Sequence, residues 1–177
     1  MLIIPNAVTA GVDSIEHGGL IDEKAAHLMK ERNVFLVPTL YRIDWISEQA
    51  QGGTKDKPDA VKKRLENRTN IHKNIRRAIQ LGVPIAFGTD ATVIPHGWNA
   101  REFKVLVEVG LSPLDAIRAA TTNAAKLLGW SDQVGSIKPR MFADLIAVEG
   151  DPLTDVTVLE KIKFVMKGGI VYQNIQK

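Results

Sequence analysis

Asn33-Val34-Phe35-Leu36-Val37-Pro38-Thr39-Leu40-Tyr41 is the stretch on which the fold turns. From Val34 to Leu40 it is almost continuously apolar, without alternating polar positions. A strand with one wet face alternates; a run without alternation suits a strand covered on both faces, as in a parallel sheet. Toward the N-terminus, Asp22 is placed to cap a helix over Glu23 to Arg32, and Asn33 to stop it. Ala25, Ala26, Leu28 and Met29 give that helix an apolar face. Further back, Val12 to His17 reads as a second strand, after a helix end at Asn6 to Ala10 closed by Gly11. Toward the C-terminus, residues 42 to 57, with Gly52-Gly53 and a Thr-Lys-Asp-Lys segment, read as a long loop. A long helix from Asp59 to about Leu81 follows, closed by Gly82, and Val83 to Gly88 is the third buried strand.

This alternation of buried strand and amphipathic helix argues for βα units and an α/β fold with a parallel sheet. After Thr89-Asp90 comes a loop with the turn signals Ile94-Pro95-His96-Gly97. Asn99 is expected to cap a helix over Ala100 to Val109, and Ser112-Pro113 to open the next one, Leu114 to Ala120. Thr121-Thr122-Asn123 then starts a short helix to Leu128, closed by Gly129. From Gly135 onward the pattern changes to short strands: Ser136-Ile137, Ala143 to Val148, Lys163 to Met166 and Ile170 to Gln173, with a hairpin at Lys167-Gly168-Gly169. Three parallel strands cannot close a barrel that takes eight, and a free edge beside them would be sticky. The chain reads as the end of something larger.

Composition bounds the function. The 177 residues are 45% hydrophobic and 24% charged, the balance of a globular domain. Cysteine is absent, which excludes disulfides and thiolate metal ligands and fits a reducing compartment. The first residues lack the basic segment of a secretory signal, and no apolar run is long enough to span a bilayer; a cytoplasmic location is expected, with the true N-terminus unseen. The net charge of +3 comes largely from Lys57 to Arg77, where Asp59 and Glu66 are interspersed and aromatics are absent. That is a solvated helix face and not a nucleic-acid surface. His27 and His72, on amphipathic helices, read as solvated residues.

The chemistry is expected where strands end. Three positions qualify: His17, Thr39 to Tyr41, and Asp90. An imidazole and a carboxylate on separate strand ends can converge on one metal, and zinc accepts both donor types. A carboxylate there can also take a proton from water. Equally, a His beside Gly can be a turn residue, and an Asp after a strand can be a helix cap.

Gly11-Val12-Asp13-Ser14-Ile15-Glu16-His17-Gly18, followed by Ala86-Phe87-Gly88-Thr89-Asp90-Ala91, resembles the amidohydrolase superfamily, in particular its imidazolonepropionase-like and Xaa-Pro dipeptidase branch. Pro95-His96-Gly97 with Asn99 and Glu102 is similar to the loop after the last barrel strand of that family. Ala116 to Ala125 is similar to its closing helices, and Gly135-Ser136-Ile137, Ala143 to Val148 and Gly150-Asp151-Pro152-Leu153 to its C-terminal β unit. The resemblance implies strands 6 to 8, with their helices, of a (β/α)8 metal-dependent hydrolase barrel over residues 1–130. Residues 131–177 would then be a small β unit of a composite β-sandwich.

It also implies roles. His17 falls on a metal-binding histidine, and Asp90 on an aspartate that binds metal and serves as general base toward a metal-activated water. His96 falls in the loop that borders the substrate, and Tyr41 can line the pocket. The expected cofactor is a divalent metal, zinc by donor type, and the expected substrate a dipeptide or cyclic amide cleaved at a C–N bond. The family's His-x-His pair, its Lys or Glu, and its other barrel histidine have no counterpart here: the histidines are His17, His27, His72 and His96, none spaced by one residue. Two ligands fall short of the usual three. The chain alone is therefore expected to be inactive, completed by an N-terminal half or a homo-oligomer partner. The alternative is a non-catalytic binding or assembly module derived from the barrel. A second departure is Lys138-Pro139-Arg140, where the family has Lys-Pro-Gly; Arg140 must then adopt the positive φ of a type II turn.

Overall fold

The computed structural model describes residues 2–51 and 58–175. Helix α1 (Ile3–Thr9) leads through Gly11, at φ 91°, into β1 (Ser14–Glu16). Helix α2 (Glu23–Arg32) starts where Asp22 Oδ1 accepts from the Ala25 amide at 2.8 Å, and it stops at Asn33 in the left-handed conformation. Both ends are as the sequence predicts. Strand β2 (Phe35–Val37) is buried at every position and pairs parallel with β1, Ser14 opposite Phe35 and Glu16 opposite Val37.

The third expected strand, Val83 to Gly88, is present in direction but thin in pairing. A single parallel bridge joins Ile85 to Leu36, with Leu36 N–H donating to Pro84 O and Ala86 N–H to Leu36 O. Among the described residues its other side meets no strand. Phe87 N–H donates to Ala119 O, and Asn123 Nδ2 donates to Ile85 O at 2.8 Å. A π-helical turn (Ala119–Asn123) thus covers this edge, where the sequence predicts the start of a helix. It runs without a break from α6 (Pro113–Arg118) into α7 (Ala124–Leu127). The Ser112 hydroxyl caps α6 as expected, accepting from the Asp115 amide.

Residues 42 to 51 overturn the long-loop expectation. Leu40–Gln51 is a helix, α3, and the rest of the expected loop, 52–57, lies outside the described residues. Helix α4 (Pro58–Leu81) follows. The two are clamped by Asp44, whose carboxylate accepts from Arg68 Nε and Nη2 at 2.8 and 2.7 Å and lies 2.7 Å from His72 Nε2. Burial works against the Asp44 charge, but the hydrogen bonds from His72 and Arg68 outweigh it and hold the carboxyl below its usual range. The expectation that His72 is a solvated surface residue is therefore corrected: Asp44, 28 residues away, draws its ring into the α3–α4 junction. His27 is exposed, as expected.

Helix α5 (Arg101–Glu108) begins one residue later than predicted and without a side-chain cap. Asn99 is occupied elsewhere, donating to Thr89 Oγ1 at 3.0 Å and accepting from Gly97 N–H. The main core joins Met29 of α2, Leu36 of β2, Leu40 of α3, Ile75 of α4 and Leu106 of α5, all but fully enclosed. Each such side chain contributes roughly 1.5–3 kcal/mol.

The C-terminal part is a three-stranded antiparallel sheet in the order β3 (Leu145–Val148), β4 (Ile162–Lys167), β5 (Ile170–Asn174). Gly168 and Gly169, both at positive φ, make the β4–β5 hairpin turn. Ser136-Ile137 is not a strand; Ile137 is 87% exposed and pairs with nothing. Ile146, Ile170 and Tyr172 also present apolar surface to solvent. Among the described residues no helix is long and apolar enough to cross a membrane.

Lys138 to Met141 forms the expected turn. Met141 N–H donates to Lys138 O, Pro139 takes the second position and Arg140 the third, at φ 74°. A left-handed Arg is strained where Gly is not, by about 1 kcal/mol. Arg140→Gly is therefore expected to raise the melting temperature of the chain by about 2–4 °C in a calorimetric scan. An unchanged or lower value would count against strain at this turn.

Candidate active site at the strand ends

The ends of the three parallel segments share one backbone feature. His17 after β1, Thr39 after β2 and Asp90 after the third segment all have positive φ, at 64°, 49° and 51°. Non-glycine residues rarely adopt this region, and for β-branched Thr it is an outlier, costing on the order of 1–3 kcal/mol. Such strain persists only where the surroundings impose it.

For His17 the surroundings are visible. Its N–H donates to Val37 O at 2.8 Å, which extends the β1–β2 ladder by one bond past the strand. Gly18 follows, and a side chain there would collide with Leu36 Cδ1. The His17 ring lies with Nδ1 2.7 Å from Thr39 Oγ1. Asp90 Oδ2 lies 3.3 Å from Arg42 Nε, which comes from the first turn of α3. Arg42 Nε is buried, and its approach to Asp90 lacks hydrogen-bond alignment, so the contact is an ion pair only. The segment that follows β2 thus touches both expected metal-site residues, His17 through Thr39 and Asp90 through Arg42.

The two expected substrate contacts fare differently. His96 sits exposed in the loop after the third segment, between Pro95 and Gly97. Tyr41 does not end a strand. It lies in α3, 5% exposed, and its hydroxyl accepts from Arg101 Nη1 at 2.8 Å. The cavity it lines, of about 380 Å³, also holds Asp44, Arg68 and Arg101 but neither His17 nor Asp90. Helix formation at Leu40 carried Tyr41 away from the strand-end position that the sequence predicts.

Imidazole and carboxylate are suitable zinc ligands. Among the described residues, however, no three of His, Cys, Asp and Glu cluster closely enough to hold an ion. His17 Nδ1 is engaged by Thr39 and Asp90 by Arg42. Among the described residues, His17 and Asp90 are not joined by a third such donor close enough to complete a set of three.

Glu102, which the sequence reading includes in the loop resemblance, has a role that the sequence reading does not assign. It is fully enclosed, and its carboxylate accepts from the amides of Leu40 at 2.8 Å and Tyr41 at 2.6 Å. These are unpaired donors at the start of α3, so Glu102 caps a helix 61 and 62 residues earlier in the chain. Burial pushes its pKa up to about 7, against the pull of the Tyr41 and Leu40 amides, with the nearby Asp44 charge adding to the rise. A signal was available: Glu102 shares a helical stripe with the buried Val105, Leu106 and Val109.

The amidohydrolase family model matches residues 2–171. The chain is 34% identical over 173 residues to an ochratoxinase of Aspergillus niger, covering 94% of this chain and 35% of that enzyme. Among solved structures, a Xaa-Pro dipeptidase with bound methionine in the active site superimposes with a TM-score of 0.88 at 40% identity, over 97% of this chain and 42% of that one. A prolidase complexed with N-methylphosphonate-L-proline gives 0.83 at 32% identity, over 97% and 43%. This chain spans less than half the length of each.

The raised Glu102 pKa carries a stability consequence. Between the ordinary value of 4.5 and about 7 the folded state holds a proton that the unfolded state releases, so this group's contribution falls as pH rises through that window. At about 1.4 kcal/mol per unit the loss is roughly 3 kcal/mol. Denaturant melts of the wild type and Glu102→Gln at a series of pH values should show the difference in stability drifting by that order, the wild type losing ground toward neutral pH. Parallel profiles would refute the assignment.

Proposed function

Because the chain belongs to the amidohydrolase family, we propose that it is the C-terminal part of a metal-dependent hydrolase that cleaves a C–N bond in a dipeptide or cyclic amide. Residues 1–130 supply the last three βα units of the barrel, and 131–177 a segment of the β-sandwich. The observation that carries the reading is the convergence of His17 and Asp90 on groups that follow β2. Two strained strand ends are held toward one central segment, at the end of a parallel sheet where barrel enzymes place their chemistry.

In the complete enzyme His17 and Asp90 supply two donors, and the others come from residues outside this chain. A bound divalent metal, zinc by donor type, would polarise the amide carbonyl and acidify water. The part played by this chain is proton handling and placement. Asp90 takes the proton from the attacking water and passes it to the leaving nitrogen. His96, exposed in the neighbouring loop, would contact the substrate. By itself the chain is inactive, because it lacks the remaining donors.

The test joins this chain to the N-terminal region of a Xaa-Pro dipeptidase and measures hydrolysis of a proline dipeptide with added zinc. Activity is expected in the joined protein and not in the 177-residue chain. Asp90→Asn is expected to lower kcat by about 10²–10⁴-fold. Full activity in that variant would sink the assignment of Asp90.

A further inference from the structure

Helix α3 begins with an arrangement that divides one job between two residues. The residue just before a helix commonly caps it, and Thr is among the favoured types. Thr39 stands in that place. It does not cap. At φ 49° its backbone departs from the extended conformation of a capping residue, and its hydroxyl lies 2.7 Å from His17 Nδ1. A side chain at that place accepts from the second or third amide of its helix; here the second, that of Tyr41, donates to Glu102, as does the first, that of Leu40.

Glu102 is an expensive choice for a cap. A carboxylate enclosed among Leu40, Val105 and Leu106 is retained only where its hydrogen bonds compensate the lost water. A threonine hydroxyl at position 39 could serve the Tyr41 amide without a buried charge. The outcome is that the Thr39 hydroxyl, itself on a residue only 3% exposed, is left to the His17 ring.

We propose that Glu102 is a positioning residue for His17, acting through Thr39: by capping α3 it leaves the Thr39 hydroxyl to accept from His17 Nδ1–H, which fixes the ring and keeps the lone pair of Nε2 free for a ligand. The last step rests on the reading of His17 as a metal-site residue; the relay itself does not. A hydrogen bond at one ring nitrogen sets which nitrogen is left to bind a metal. Without the Glu102 carboxylate, the Tyr41 amide and the His17 ring compete for one hydroxyl, and the ring loses its anchor.

The experiment reads the ring directly. Long-range proton–nitrogen NMR on the 177-residue chain, at a pH where the His17 ring is neutral, reports which nitrogen carries the proton. The wild type is expected to show the Nδ1–H form in majority. Thr39→Val, which keeps the shape and removes the hydroxyl, should lower the ratio of Nδ1–H to Nε2–H forms by about fivefold, the equivalent of one lost hydrogen bond. Thr39→Ser should restore it. Glu102→Gln, which weakens the cap, should lower the ratio in the same direction while the amide spectrum of the β3–β5 sheet stays unchanged. Should Glu102→Gln not fold, Glu102→Asp, which draws the carboxylate back from the two amides, provides the same reading.

A wild-type ratio in Thr39→Val would overturn the relay, and a wild-type ratio in the folded Glu102 variant would overturn its first step. Zinc titration of the chain joined to the N-terminal region of a Xaa-Pro dipeptidase, which would supply the remaining donors, separates the two ideas. If the variants shift the ratio as expected while zinc leaves the His17 nitrogens unmoved, the relay stands and the metal reading of His17 fails.

Discussion

Two hydrogen bonds from the Leu40 and Tyr41 amides to one enclosed carboxylate tie the start of α3 to α5. The arrangement of the strand ends depends on them. They settle the donors that a helix start leaves open, and so allow α3 to begin three residues after β2 without help from its own neighbourhood. The helix then carries Arg42 to Asp90 and Asp44 to Arg68 and His72. Loss of this cap would loosen α3 against α4 and α5, and with it the contacts made to both outer strand ends. A charge buried for such a purpose stabilises only while every acceptor position is used.

This same link explains what was and was not legible in the sequence. Where the controlling contact is local, the reading succeeds. Asp22 caps its helix through Ala25, three residues on; Ser112 caps through Asp115; Asn33 and Arg140 take the positive φ that their places require. Helix α3 is preceded by Thr39, whose hydroxyl lies against His17 and does not mark the start. Its cap arrives from 62 residues later, and Arg42, Asp44, Ser47 and Glu48 break up its apolar pattern, so it reads as loop. His72 reads as solvated for the same reason, because Asp44 sits in that misread segment. The third strand is legible as a buried run, but its single bridge is not, because the covering π-helical turn is a tertiary matter.

Within the candidate site, His17 and Asp90 are visible as strand-end residues of chemically useful type, and the family resemblance singles them out. The groups that hold them are not. Thr39 and Arg42 are ordinary residues until the parallel pairing of β1 with β2 and the onset of α3 bring them within reach. Tyr41 lies in the first turn of α3, four residues past the end of β2, and the cavity that it lines holds neither His17 nor Asp90. The family match over residues 2–171 and the superposition on two fifths of a Xaa-Pro dipeptidase place all of this in the later part of a larger hydrolase architecture.

The left-handed backbones of His17, Thr39 and Asp90 impose a conflict on any attempt to improve the protein. Glycine at any of the three would relax the main chain, and directed selection for thermal robustness alone would favour it. The same exchange would delete an imidazole, a hydroxyl or a carboxylate from the one region where these groups converge. On the proposed reading, robustness of this chain and activity of the complete enzyme are therefore opposed at single positions, and a library sorted only for survival at high temperature would be enriched in folded but chemically silent variants.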